Sequence, residues 1–192
     1  HLRRNILILP ELDSHIVTER LPKLLPDSLK HAIHDFVITG ALKLHHNEFN
    51  YKFHHSMLVH AHMETSNHER LALFIRNYGV LLKDGFVRKT LFRGRTEIYR
   101  DLKARWESEF FISDEQEELM DQAIRAFFEK FDFDADVCTI NSHVEEEEPM
   151  FETSSRLDYT DDGTWVIAIG GQILSRGLTV EGLVISYFAR HS

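Results

Sequence analysis

The residues of this chain best suited to chemistry stand together in the run Gly170-Gly171-Gln172-Ile173-Leu174-Ser175-Arg176-Gly177-Leu178-Thr179. Its glycines let backbone amides come close to a ligand, Ser175 and Thr179 add hydroxyls, and Arg176 adds a guanidinium that can hold an anion through two parallel hydrogen bonds. Those are the groups a phosphate needs. The same residues also make a plain glycine-rich turn with an incidental surface arginine, since such turns commonly follow strands.

Other chemistry is poorly supplied. Thirteen histidines raise the question of a metal, chiefly at His54-His55 and at His60-x-His62. Zinc needs about four converging ligands, and one cysteine with neither C-x-x-C nor H-E-x-x-H does not supply them. No metal site is expected, and His60, at the end of an apolar run, reads better as a hydrogen-bonded core or rim histidine. Metal-dependent nucleic-acid cleavage needs carboxylates placed to share an ion. The densest ones, Glu145 to Glu148, are consecutive and followed by Pro149, so they repel, splay and read as a solvated loop.

The elements that must hold the glycine loop are legible in the apolar pattern. Leu29, Ile33, Phe36, Val37 and Leu44 recur at helical spacing after Pro26, with Asp27 or Ser28 as the expected cap. Ser56 to His60 is a short apolar run with polar flanks, as in a buried strand. A second helix follows, capped at Ser66 or Asn67, with Leu71, Phe74, Ile75, Tyr78, Leu81 and Leu82 as its buried stripe and its end expected near Gly85. A third helix is expected from Ser113 to about Lys130, opening on the capping-box pattern Ser113 to Gln116 and burying Leu119, Ala123, Ile124, Phe127, Phe128 and Phe131. Val137 to Ile140, Trp165 to Ile169 and Leu183 to Phe188 read as further buried strands. Strands alternating with helices imply an α/β fold in three layers, with a mainly parallel sheet covered on both faces. Ligands of such sheets collect beyond the carboxyl ends of the strands, which directs attention to the segments after His60 and after Ile169.

Composition sets the outer bounds. The chain has 192 residues, 43% of them hydrophobic, which suffices for one core but not for two full domains. It opens on a histidine and is expected to be an excised piece. The single cysteine, Cys138, forms no internal disulfide, no apolar run reaches membrane-span length, and the cytoplasm is the expected compartment. The net charge of -9 conceals a polarisation. Residues 83 to 105 carry eight bases against three acids, whereas residues 107 to 162 carry 19 acids against Arg125, Lys130 and Arg156. Any phosphate backbone is therefore expected at the first stretch, with Arg93, Arg95 and Arg100 as candidate contacts. Internal neutralisation of the acidic stretch is the other reading of those bases.

The run from Val166 through Gly170-Gly171-Gln-Ile-Leu-Ser-Arg-Gly-Leu-Thr179 to Leu183, continued by Ile185-Ser-Tyr-Phe-Ala-Arg190, resembles the hallmark of the Z1-domain family. Leu25 to Ile33 with Phe36, and Ser56 to His60, resemble that family's leading helix and first strand. The resemblance implies residues 1–24 as an N-terminal extension and residues 25–192 as the second RecA-like domain of a helicase-like protein. Residues 84–133 would be a helical elaboration between the first and second strands, and the chain would stop short of motif VI.

The family is described as superfamily 2 helicase-like ATPases and candidate endonucleases of restriction or phage-defence settings. The resemblance thus implies ATP, Mg²⁺, a first RecA-like domain and nucleic acid, most readily DNA, as partners of the parent protein. Ser56 to His60 would correspond to motif IV, with Ser56 and His60 near nucleic acid. Gly170 to Thr179 would correspond to motif V, where Gly170, Gly171, Ser175, Arg176, Gly177 and Thr179 face nucleotide or nucleic acid. Against the helicase pattern T-x-x-x-x-R-G-x-D, Arg176 and Gly177 match, but Gly171 replaces the threonine and Thr179 the aspartate. Arg176 acts either on a ligand or as a brace for its own loop, pairing with a carboxylate such as Glu181. No G-x-x-x-x-G-K-[ST] and no acidic Walker B strand occurs, so this piece alone is expected to be inactive. The remaining alternative is a protein-interaction module in which Trp106, Phe110 and Phe111 are exposed anchors.

Overall fold

The computed structural model describes residues 6–8, 25–61, 65–92, 97–110, 117–140, 157, 159–171 and 180–189. In chain order they form strand β1 (Ile6–Ile8), helix α1 (Asp27–His46), β2 (His55–Ala61), α2 (Thr65–Phe92), α3 (Glu97–Phe110), α4 (Glu117–Lys130), β3 (Val137–Ile140), β4 (Trp165–Gly170) and β5 (Leu183–Ala189). The five strands make one sheet in the order β1-β5-β2-β4-β3, and each neighbouring pair is parallel. The expected α/β class with a parallel sheet is therefore present, with helices between β2 and β3. Strand β1 falls inside residues 1–24, yet pairs Ile6 with Ser186 and Ile8 with Phe188 at the sheet's edge.

Alternation along the strands separates two faces. Met57, Val59, Val137, Ile167, Ile169, Ile185 and Tyr187 join all four helices in the main core, whereas Leu58, Ile140 and Ala168 form a smaller cluster on the opposite face. Strand order explains the division. Crossovers between parallel strands are right-handed, so β1 to β2 and β2 to β3, which step in one direction, share a face. The connections β3 to β4 and β4 to β5 step back and belong on the other. Leu157 and Val180, one from each return connection, do pack against the smaller cluster. Most of both return connections lies outside the described residues.

The helices form where burial compensates for local weakness. Pro26 opens α1, and its carbonyl accepts the amides of Leu29 and Lys30. The expected caps are otherwise engaged, Asp27 with Lys30 and the Ser28 hydroxyl with Tyr187. Helix α2 starts at Thr65, which places Ser66 and Asn67 inside it, and it runs past Gly85. A helical glycine costs only about 1 kcal/mol, against roughly 1.5–3 kcal/mol gained by fully burying a side chain such as its neighbours Leu82 and Phe86. Leu81, expected in the core stripe, points outward. Helix α4 buries Ala123, Ile124, Phe127 and Phe128 as expected, with Phe131 following it in the core; the capping box at Ser113 lies outside the described residues.

Candidate functional site

The carboxyl ends of β2 and β4 lie side by side, His60 in register with Gly170. Beyond β2 the chain is next described as α2 on the helical face, whereas Val180, ahead of β5, packs on the opposite face. Adjacent parallel strands whose connections diverge leave a crevice at their carboxyl ends, where α/β sheets bind ligands. Gly170 is buried and Gly171 half-buried at this point, so the glycine run starts on a rigid strand rather than in a free loop. On the other side of His60, Phe188 stacks on the imidazole, with centroids 4.0 Å apart and planes 8° from parallel. Phe188 was legible only as strand core. Its role beside His60 depends on the β2–β5 register, which no local pattern reveals.

Ser175, Arg176, Gly177 and Thr179 lie outside the described residues, as do Arg93 and Arg95. Arg100 is on the exposed side of α3. Ser56 is not at the crevice. It stands fully buried near the amino end of β2, and its hydroxyl donates to the Glu181 carbonyl at 2.8 Å. Ser56 thus ties β2 to the residue before Gly182.

A polar cluster around Ser56 secures the far end of the glycine loop. The Glu181 amide donates to the Tyr159 hydroxyl at 2.9 Å. The Thr164 amide donates to His54 Nδ1 at 3.0 Å, so that imidazole carries its proton on Nε2, which lies 3.2 Å from the Glu181 carboxylate. Glu181, the partner considered for Arg176, is thus engaged by His54. Gly182 follows with φ +65°, its Cα facing the His54 carbonyl so closely that a Cβ would collide. Burial and a hydrogen bond shift the Tyr159 hydroxyl; desolvation is the larger cause and raises its pKa.

Among the described residues no group of three or more His, Cys, Asp or Glu side chains could hold a metal ion. The histidine pair His54-His55 divides, His54 toward Glu181 and His55 into the core, where its Nε2 donates to the Phe36 carbonyl at 2.9 Å. Trp106, considered as an exposed anchor, is fully buried, and Phe110 packs against the same core; Phe111 lies outside the described residues. Their spacing with Tyr99 and Leu102 is that of the buried stripe of α3.

The structure defines an α/β domain whose parallel strands β2 and β4 end side by side, with Gly170 and Gly171 at the end of β4. A family model for the Z1 domain matches residues 28–192, and the chain belongs to that family. Comparison with curated proteins and with solved structures gives no match. No helix of the described residues is long and apolar enough to cross a membrane.

Proposed function

We propose that this chain is the second RecA-like domain of a helicase-like, nucleic-acid-dependent ATPase, and that Gly170 to Thr179 serves as its motif V-type loop. Membership of the Z1 family supports this reading. The observation that carries it is the register of His60 with Gly170, which puts the start of the glycine loop at the diverging carboxyl ends of β2 and β4.

In this reading the backbone of Gly170 and Gly171 admits a phosphate closely, Arg176 supplies its charge, and Ser175 and Thr179 hydrogen-bond to nucleotide or nucleic acid. ATP sits between this domain and a first RecA-like domain. Mg²⁺ belongs with that first domain, which carries the phosphate cradle. The parent protein works in the cytoplasm, on DNA, in a restriction or phage-defence setting.

The test is Arg176→Ala in the protein that carries both RecA-like halves. Nucleic-acid-stimulated ATP turnover should fall about tenfold or more, the loss of at least ~1.4 kcal/mol of transition-state stabilisation, with the circular dichroism spectrum unchanged. Turnover equal to the unsubstituted protein would overturn the assignment of the loop.

A further inference from the structure

The two connections that flank β4 meet in one polar cluster. Tyr159 belongs to the connection from β3, and Glu181 to the connection from β4 into which the glycine run leads. Tyr159 stands beside a tight turn, in which the Gly163 amide donates to the Thr160 carbonyl at 3.0 Å and the Thr160 amide to the Thr164 hydroxyl at 3.1 Å. Gly163, at φ +86°, lies so close to the backbone of Tyr51 and Phe53 that a Cβ would collide. The turn is thereby fixed to the segment that leads into β2. The Tyr159 ring in turn meets the His54 imidazole nearly at right angles, with centroids 5.1 Å apart.

Glu181 is held from three sides. Its amide donates to the Tyr159 hydroxyl, its carbonyl accepts from Ser56, and its carboxylate accepts from His54 Nε2. Yet its side chain is 53% exposed. Polar contacts at so open a residue add little to stability, because water competes for the same groups. What three converging bonds from anchored elements supply is position.

We propose that Tyr159 is a positioning residue for the glycine run: together with His54 it fixes Glu181, and so sets the end from which Gly170 to Thr179 reach their ligand. The proposal rests on the motif V-type reading of that run. The run is held at its start by Gly170, paired with His60, and at its end by Glu181. Loosening the second hold misplaces Arg176 against the transferring phosphate. The cost falls on turnover rather than on ATP affinity, because the phosphate cradle lies on the other RecA-like domain.

Tyr159→Phe tests it in the protein that carries both RecA-like halves, since it removes one hydroxyl and leaves the ring on His54. Hydrogen exchange of the Glu181 amide should quicken about five- to tenfold, the effect of one lost hydrogen bond. Nucleic-acid-stimulated kcat should fall about three- to tenfold, with KM for ATP and the melting temperature nearly unchanged. Glu181→Ala should lower kcat likewise, and Glu181→Gln, whose side-chain carbonyl still accepts from His54, should restore most of it. Unchanged exchange would mean that the hydroxyl does not hold the run, and would overturn the proposal. Faster exchange with unchanged kcat, in a protein whose Arg176→Ala variant does lose turnover, would overturn it and leave the loop reading in place. Full turnover in Arg176→Ala would overturn both.

Discussion

Two histidines sit where an imidazolium has no place. His55 is fully buried, stacked on Phe36 at 4.3 Å and edge-on to Phe127, and its Nδ1 has no hydrogen-bond partner. Burial, with the nearby charge of Lys43 adding to it, lowers its pKa from the ordinary 6.5 to about 3. His34 is similar. Its Nε2 meets the Tyr78 hydroxyl at 2.8 Å, its Nδ1 is also without a partner, and burial followed by repulsion from His31, Arg105 and Lys30 lowers it to about 4. In both cases the unfolded chain takes up a proton that the folded chain refuses. Their contribution to stability is complete above pH 6.5 and is lost as pH falls toward 4 and 3. The melting temperature should therefore drop steeply between pH 6.5 and 4. His55→Leu should flatten that slope whatever it does to stability near neutral pH; an equally steep slope in the variant would assign the acid sensitivity elsewhere.

At the scale of elements, the pair Asp35–Arg105 joins α1 to α3. The Arg105 Nε and a terminal nitrogen donate to the two Asp35 carboxylate oxygens, each at 2.7 Å, and Glu109 takes a further bond at 3.1 Å. The hydrogen bonds it donates to Asp35 raise the guanidinium's pKa further. Arg105→Ala leaves the buried Asp35 charge unpaired and should cost about 2–4 kcal/mol in urea unfolding, near the lower end for breaking a buried pair because the guanidinium keeps some solvent. Lysine should rescue only part, since an ammonium cannot make both parallel bonds. Replacing both partners, as Asp35→Leu with Arg105→Met, should cost less than Arg105→Ala alone; a larger cost would mean that the pair is not the source of the destabilisation.

That link also shows what the sequence conveyed and what it withheld. Buried strands such as Trp165 to Ile169 are continuous apolar runs, so β2, β3, β4 and β5 were legible, and the apolar residues of α1, α2 and α4 recur at helical spacing. Long-range choices were not. Nothing local says that Arg105 turns to Asp35 rather than to solvent, that Ser56 braces Glu181, or that α2 continues beyond Gly85 because Phe86 is buried. The crevice was legible as a place, since it follows from parallel strands and a glycine run. The stack of His60 on Phe188 was not, because register arises only when the sheet forms.

Over the whole molecule, the question is where the positive charge of residues 83 to 105 is spent. Part of it is internal. Arg105 is committed to Asp35 and Glu109, Lys103 lies 3.4 Å from Glu107, and Lys83 caps a backbone carbonyl of α4. Those pairings tie the basic stretch to acidic partners and to the helical layer, as neutralisation within the fold requires. Arg100 differs, being exposed on α3. With Arg93 and Arg95 it is the remaining candidate for holding phosphates in the proposed nucleic-acid-binding protein. The two uses separate by salt. Replacing Arg93, Arg95 and Arg100 by alanine should weaken nucleic-acid binding and flatten the slope of log affinity against log salt by about 0.7–0.9 for each phosphate no longer neutralised. The melting temperature should barely move, because exposed pairs are worth little. Arg105→Ala should do the reverse, lowering the melting temperature and leaving the salt slope alone. If the triple substitution instead lowers the melting temperature, most at low salt, with the slope unchanged, the whole basic stretch serves the fold. Nucleic acid would then meet this chain only at the crevice between β2 and β4.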